Sequence, residues 1–116
     1  MPNTNNVYGY FTSRSNLEKL ASIFKRRLSD HNVNIVVNKS HYDGTQSIQL
    51  NGDKIEFDST LFNNEGRYSF NGAVAGSESE IYEVVNEIFT ILKEHKFKPV
   101  FEVYNESFEC IAEFKS

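Results

Sequence analysis

The chain has 116 residues, 39% apolar and 14% aromatic, with 12 Lys+Arg against 16 Asp+Glu for a net charge of −4. That length closes one hydrophobic core and not two, so residues 1–116 are expected to form a single domain. Abundant aromatics exclude a disordered chain, and the deficit of base excludes a general nucleic-acid binder, which needs a basic surface to neutralise phosphates. No apolar run approaches the roughly 18 residues of a membrane span. Met1 to Asn6 has neither a basic n-region nor an apolar h-region, so a cytoplasmic protein with no membrane partner is expected. Cys110 is the only cysteine, which rules out an internal disulfide.

Val7 to Thr12 reads as a first strand. Ser15 and Glu18 then stand at capping-box spacing. Behind them Leu17, Leu20, Ala21, Phe24 and Leu28 recur at i, i+3, i+4, i+7 and i+11, which predicts an amphipathic helix over 15–31. Period two follows, with Val33, Ile35 and Val37 alternating with polar residues. Asp43-Gly44 and Asn51-Gly52 are two-residue hairpin signals, since both dipeptides tolerate the positive φ of a type I′ turn. Two-residue loops would set Val37 opposite Leu50 and Ile48 opposite Ile55. Both registers place Val33, Ile35, Val37, Ile48, Leu50, Ile55 and Phe57 on one face.

Asp58 to Gly66 reads as a polar connection containing Leu61 and Phe62. A strand over 67–75 follows, with Tyr68, Phe70 and Val74 alternating until Gly76. Ser77 and Glu80 form a second capping box, and Ile81, Val84, Val85, Ile88 and Leu92 make a second helical stripe. Lys93, His95 and Lys96 suit the negative end of that helix, and Pro99 bars its continuation. Val100 to Tyr104 and Phe108 to Phe114 read as two last strands, with Cys110 sharing a face with Phe108, Ala112 and Phe114. The order β-α-β-β-β-β-α-β-β predicts an α+β, two-layer sandwich. Two helices pack on one face of a mainly antiparallel sheet, as a ferredoxin-like core with extra strands.

Chemistry is sparsely signalled. His31, His41 and His95 have no metal-ligand spacing, and there is no Cys-x-x-Cys, so no metal or cofactor is expected. Cys110 among alternating aromatics reads as packing and not as a nucleophile. Gly72-Ala73-Val74-Ala75-Gly76 lacks the Lys-Ser/Thr of a P-loop and reads as a strand-to-helix passage. These readings point away from an enzyme.

Charge is more informative. Residues 1–58 carry seven Lys/Arg and six Asp/Glu, whereas residues 59–116 carry five and ten. At 100° per residue Glu80, Glu83, Glu87 and Glu94 fall within about 60° of one another on the second helix. Like charges at i, i+3 and i, i+4 cost a few tenths of a kcal/mol per pair. A ridge of one sign is what steers a basic partner, with Glu106 and Glu109 at the following turn as further contacts. The first helix carries the opposite sign in Lys19 and Lys25-Arg26-Arg27.

Phe70-Asn71-Gly72-Ala73-Val74-Ala75-Gly76-Ser77, the amphipathic helix after it, and Phe101-Glu102-Val103-Tyr104-Asn105 together resemble the C-terminal half of small bacterial toxin-immunity proteins. The resemblance spans about 45 residues of this chain. It implies an antitoxin-like, non-enzymatic inhibitor that occludes a basic toxin or effector by direct protein-protein contact. The alternative is a small-molecule-binding regulatory domain on the same sandwich, with Gly72 to Ser77 lining its pocket.

Overall fold

The computed structural model describes residues 5–13, 17–42, 44–61 and 66–115. Its strands are β1 (Val7–Thr12), β2 (Asn34–Lys39), β3 (Gln46–Asn51), β4 (Ile55–Leu61), β5 (Arg67–Val74), β6 (Val100–Tyr104) and β7 (Cys110–Lys115). Its helices are α1 (Leu17–Arg27) and α2 (Glu78–Glu94). The strands form one sheet in the order β2-β3-β4-β5-β1-β6-β7, and every neighbouring pair is antiparallel.

β1 lies between β5 and β6, so α2 carries the chain across β1 while α1 carries it from β1 to the β2 edge. Setting aside β2, β3 and β7 leaves β4-β5-β1-β6 with two crossover helices, the ferredoxin-like core. Period two then decides which sheet face is covered. Val7 and Phe11 of β1 are fully buried, whereas Tyr8 on the other face is exposed. Phe70 links the layers. Its ring stacks on Phe57 at 4.8 Å and on Phe24 of α1 at 6.2 Å, and it lies 6.0 Å from Phe101, which meets Phe89 of α2. Both helices therefore bury their stripes on the same face.

The first helix is shorter than its periodicity suggests. It ends at Arg27, and Ser29 to His31 tighten into a 3-10 turn closed by Asn32 at φ 52. Ser15 lies outside the described residues, and with it the first capping box. Ser77 and Glu80 do form theirs: Ser77 Oγ accepts from Glu80 N–H at 3.2 Å, and the Glu80 carboxylate accepts from Ser77 N–H at 3.0 Å.

Both hairpins keep the predicted face but not the predicted register. Val37 pairs with Ile48 instead of Leu50, and Leu50 pairs with Phe57. The first loop is longer because Ser40 N–H donates to Thr45 O and Gly44 N–H to Ser40 O; Asp43 lies outside the described residues. The second cannot be a type I′ turn, because Gly52 is not among the positive-φ glycines. Both shifts are even, so Ile35, Ile48, Leu50, Ile55 and Phe57 still face the helices, with Val33 and Val37 at the margin.

Two further boundaries move. Asp58 to Leu61 is strand, paired with Tyr68 to Asn71 of β5, while Phe62 lies outside the described residues. Buried Ser59 extends the strand contact by accepting from Ile48 N–H at 2.8 Å and donating to Ile48 O at 3.2 Å. β7 begins at Cys110, not Phe108. Val103 faces Ala112 but Tyr104 faces Cys110, so the ladder skips Ile111 in a β-bulge. The bulge turns Cys110 onto the open face of the sheet, away from Ala112 and Phe114, and leaves it exposed.

Candidate functional site

The glycine-rich segment is structural up to Gly72. A Cβ there would stand 2.0 Å from Glu56 O and 2.7 Å from the Phe57 ring, so only glycine lets β4 and β5 approach. Asn6 fixes Val74, two residues on, accepting from its N–H and donating to its carbonyl oxygen, both at 2.9 Å. Only Ala75 to Ser77 is then left as a loop, and it opens α2 at one end of the molecule.

Acidic side chains gather around that end. A cavity of about 500 Å³ between α2, the 3-10 turn and the β3–β4 loop is lined by Asp30, Asp53, Glu80, Glu83 and Glu87, with Lys54 and His31 among them. Glu87 meets His31 Nε2 at 2.8 Å. Hydrogen bonds from the Ser77 backbone and then its hydroxyl hold the Glu80 carboxyl below the usual carboxylate range, with a smaller contribution from Lys54. Glu94 lies at the far end of α2, paired with Arg27 of α1 at 2.8 Å, and the Arg27 hydrogen bond and charge lower its pKa too. The ridge therefore divides. Glu80, Glu83 and Glu87 share one cavity, Glu94 stands apart, and Glu83 has no ion pair among the described residues.

A second hollow of about 700 Å³ lies on the other side of Ala75 to Ser77. It is lined by Glu78, Ile81, Tyr104, Glu106, Phe108 and Ile111, among others. Its outer wall is the β6–β7 turn. Asn105 braces that turn: its Oδ1 accepts from Ser107 N–H and Glu109 N–H, both at 2.9 Å, while its N–H donates to Glu109 O at 3.0 Å. The brace holds Phe108 at φ 60 and leaves it 75% exposed, with Ile111 exposed beside it. A bulky L-residue in the left-handed region is strained, and an exposed ring held in such a turn is unfavourable twice over. Glu106 and Glu109 flank it, and the Glu109 carboxylate accepts from the Asn105 amide at 3.4 Å.

Sequence reasoning located the acidic residues but missed Phe108 as a surface group, because alternation counted through the bulge puts it inside. The signal that was available is Asn105-Glu106-Ser107, an Asn-led turn ending next to an aromatic.

On the open sheet face Glu102, Cys110 and Glu113 bring one potential ligand atom each within 4.8 Å of one another. Burial and these neighbouring groups raise the Tyr104 pKa, keeping its hydroxyl protonated. No helix is long and apolar enough to cross a membrane among the described residues. Comparison with family models, curated proteins and solved structures returns no match.

Proposed function

We propose that this chain is a non-enzymatic binding protein, an immunity-like inhibitor that neutralises a basic toxin or effector through its acidic end. The observation that carries the reading is Phe108, 75% exposed at φ 60 in a turn braced by Asn105. A rigid aromatic surrounded by charge is the form of an interface anchor, where a few buried side chains supply most of the affinity. Glu78, Glu106 and Glu109 supply the acidic surround, with Glu83 in the neighbouring cavity, so a basic partner associates fast and in a salt-dependent way.

Glu87 and Glu94 enter this reading differently from Glu83. Their carboxylates are already engaged with His31 and Arg27, so they shape the field more than they contact a partner. Glu80 is held in its cap. Glu83, Glu106 and Glu109 are the carboxylates best placed to meet incoming cations.

Growth rescue tests the reading. The chain is expressed together with a toxin encoded beside its gene, and rescue by the wild-type chain is the expected result. Glu83→Lys should lower the association rate and steepen the amount of inhibitor needed. A chain that forms no complex with that toxin, or Glu83→Lys with unchanged association kinetics at low salt, overturns it.

A further inference from the structure

At the other end of α2, roughly 22 Å from Glu80 at 1.5 Å per residue, lies a hollow of opposite sign. It measures about 450 Å³ and is lined by Thr12, Ser13, Lys19, His95, Lys96 and Lys98, together with Phe97. The backbone beneath it is pinned, since Thr12 N–H donates to Phe97 O at 2.7 Å and Ser13 N–H to Gly66 O at 2.8 Å. Its described lining residues include no carboxylate.

Each of its three lysines carries a local cost. Lys19 is the third residue of α1, at the positive end of that helix dipole, where acid is preferred. Lys96 occupies the left-handed position of a Schellman motif that closes α2. Its N–H donates to Lys93 O at 3.1 Å, and Phe97 N–H donates to Leu92 O at 2.9 Å. That position ordinarily belongs to glycine, yet Lys96 holds φ 66. Lys98 repeats the conformation at φ 52. His95, at the C-cap, and Lys96 after it both sit where a helix end favours positive charge, so the cost at Lys96 is one of backbone conformation alone. The shared effect of these costs is to bring positive charge from α1, the end of α2 and the turn after it into one hollow. Local rules broken together at one place mark a binding site more often than a packing need.

We propose that this hollow binds a dianionic phosphate group, free as inorganic phosphate or carried as a monoester by a small molecule. Three ammonium groups match a dianion, and lysines bind phosphate as point charges without the planar fork of arginine. Thr12 and His95 add hydrogen-bonding side chains to the same lining. The volume admits a phosphate with a sugar-sized body. Three lysines fall short of the roughly 6–10 phosphate contacts typical of duplex binders.

The test is an amide NMR titration of the whole chain at pH 7.5 with inorganic phosphate, phenyl phosphate and dimethyl phosphate. Saturable shifts at Thr12, Ser13 and residues 96–98 are expected with one or both dianions. Tighter binding of phenyl phosphate identifies an ester as the ligand, and tighter inorganic phosphate identifies the free ion. Dimethyl phosphate, a monoanion, should bind at least about tenfold more weakly. Lys19→Ala with Lys98→Ala should weaken the dianion by about tenfold or more. Lys96→Gly should raise the melting temperature and weaken phosphate together, a pairing that a purely structural lysine does not give. Shifts absent up to about 10 mM of either dianion, equal affinity for dimethyl phosphate, or unchanged affinity in the lysine variants would overturn the proposal.

Discussion

Glu87 of α2 and His31 of the turn after α1 meet at 2.8 Å, and Glu94 repeats the contact with Arg27 at the same distance. These contacts give the single-signed ridge of α2 a local cause. Its like charges repel along the helix, but the neighbouring helix ends in Lys25, Arg26 and Arg27 and turns through His31. The two helices thus meet along a seam of opposite charge, and only part of the ridge is left for another molecule. Glu83→Lys and Glu87→Lys should accordingly differ. Glu87→Lys sets a cation against His31 and should lower stability by about 0.5–1 kcal/mol, the scale of an exposed pair. Glu83→Lys should stay within about 0.5 kcal/mol of wild type. Urea unfolding at pH 7 distinguishes them.

The same seam and the α2 cap should show in acid. Hydrogen bonds from Ser77 hold Glu80, and Arg27 holds Glu94, below the ordinary carboxyl value of 4.5. In the window below 4.5 the unfolded chain binds more protons than the folded one, so stability rises with pH there. The contribution is complete above 4.5 and is lost as pH falls through the lowered folded values. Glu80→Gln and Glu94→Gln should therefore be less stable than wild type at pH 7 and converge with it as the pH falls below the lowered folded values, as followed by urea midpoints against pH.

Phe70 should be the most costly aromatic to truncate. It is fully buried and touches Phe11, Phe24, Phe57 and Phe101, so it joins α1 to both halves of the sheet. Phe70→Ala should cost about 3–5 kcal/mol by cavity formation and lost ring contacts. Exposed Tyr42 gives the contrast, and Tyr42→Ala should stay within about 0.5 kcal/mol. Chemical denaturation of both variants checks the pair.

The layout was legible in the sequence wherever a period of 2 or 3.6 ran long enough to be counted. Leu17 to Phe24 and Ile81 to Leu92 gave the helices, and the even register shifts left the buried face intact even though neither hairpin loop was two residues long. What escaped was single-residue detail. One extra residue at Ile111 reverses the sidedness of Cys110 relative to Ala112, and no composition signal announces it. The acidic end was legible as charge but not as geometry. Its distribution between His31, Arg27 and solvent depends on how two helices pack side by side, a contact between residues 56 and 67 apart in the chain.

Cys110 offers a direct check on that bulge. Turned to the open face, its thiol should react with a disulfide reagent in the native protein, without denaturant and in a single fast phase. Cys110→Ser should change stability by less than about 0.5 kcal/mol. Protection of the thiol until global unfolding would place it back among Ala112 and Phe114.

The central claim is that Phe108 is held out for a partner. The most direct measurement is the affinity of Phe108→Gly for the toxin that the wild-type chain neutralises, taken beside its melting temperature. Glycine relieves the left-handed strain, so the melting temperature should stay level or rise. Affinity should fall by about thirtyfold or more, the loss typical of an interface anchor. Affinity within about twofold of wild type in a folded Phe108→Gly chain would contradict the account.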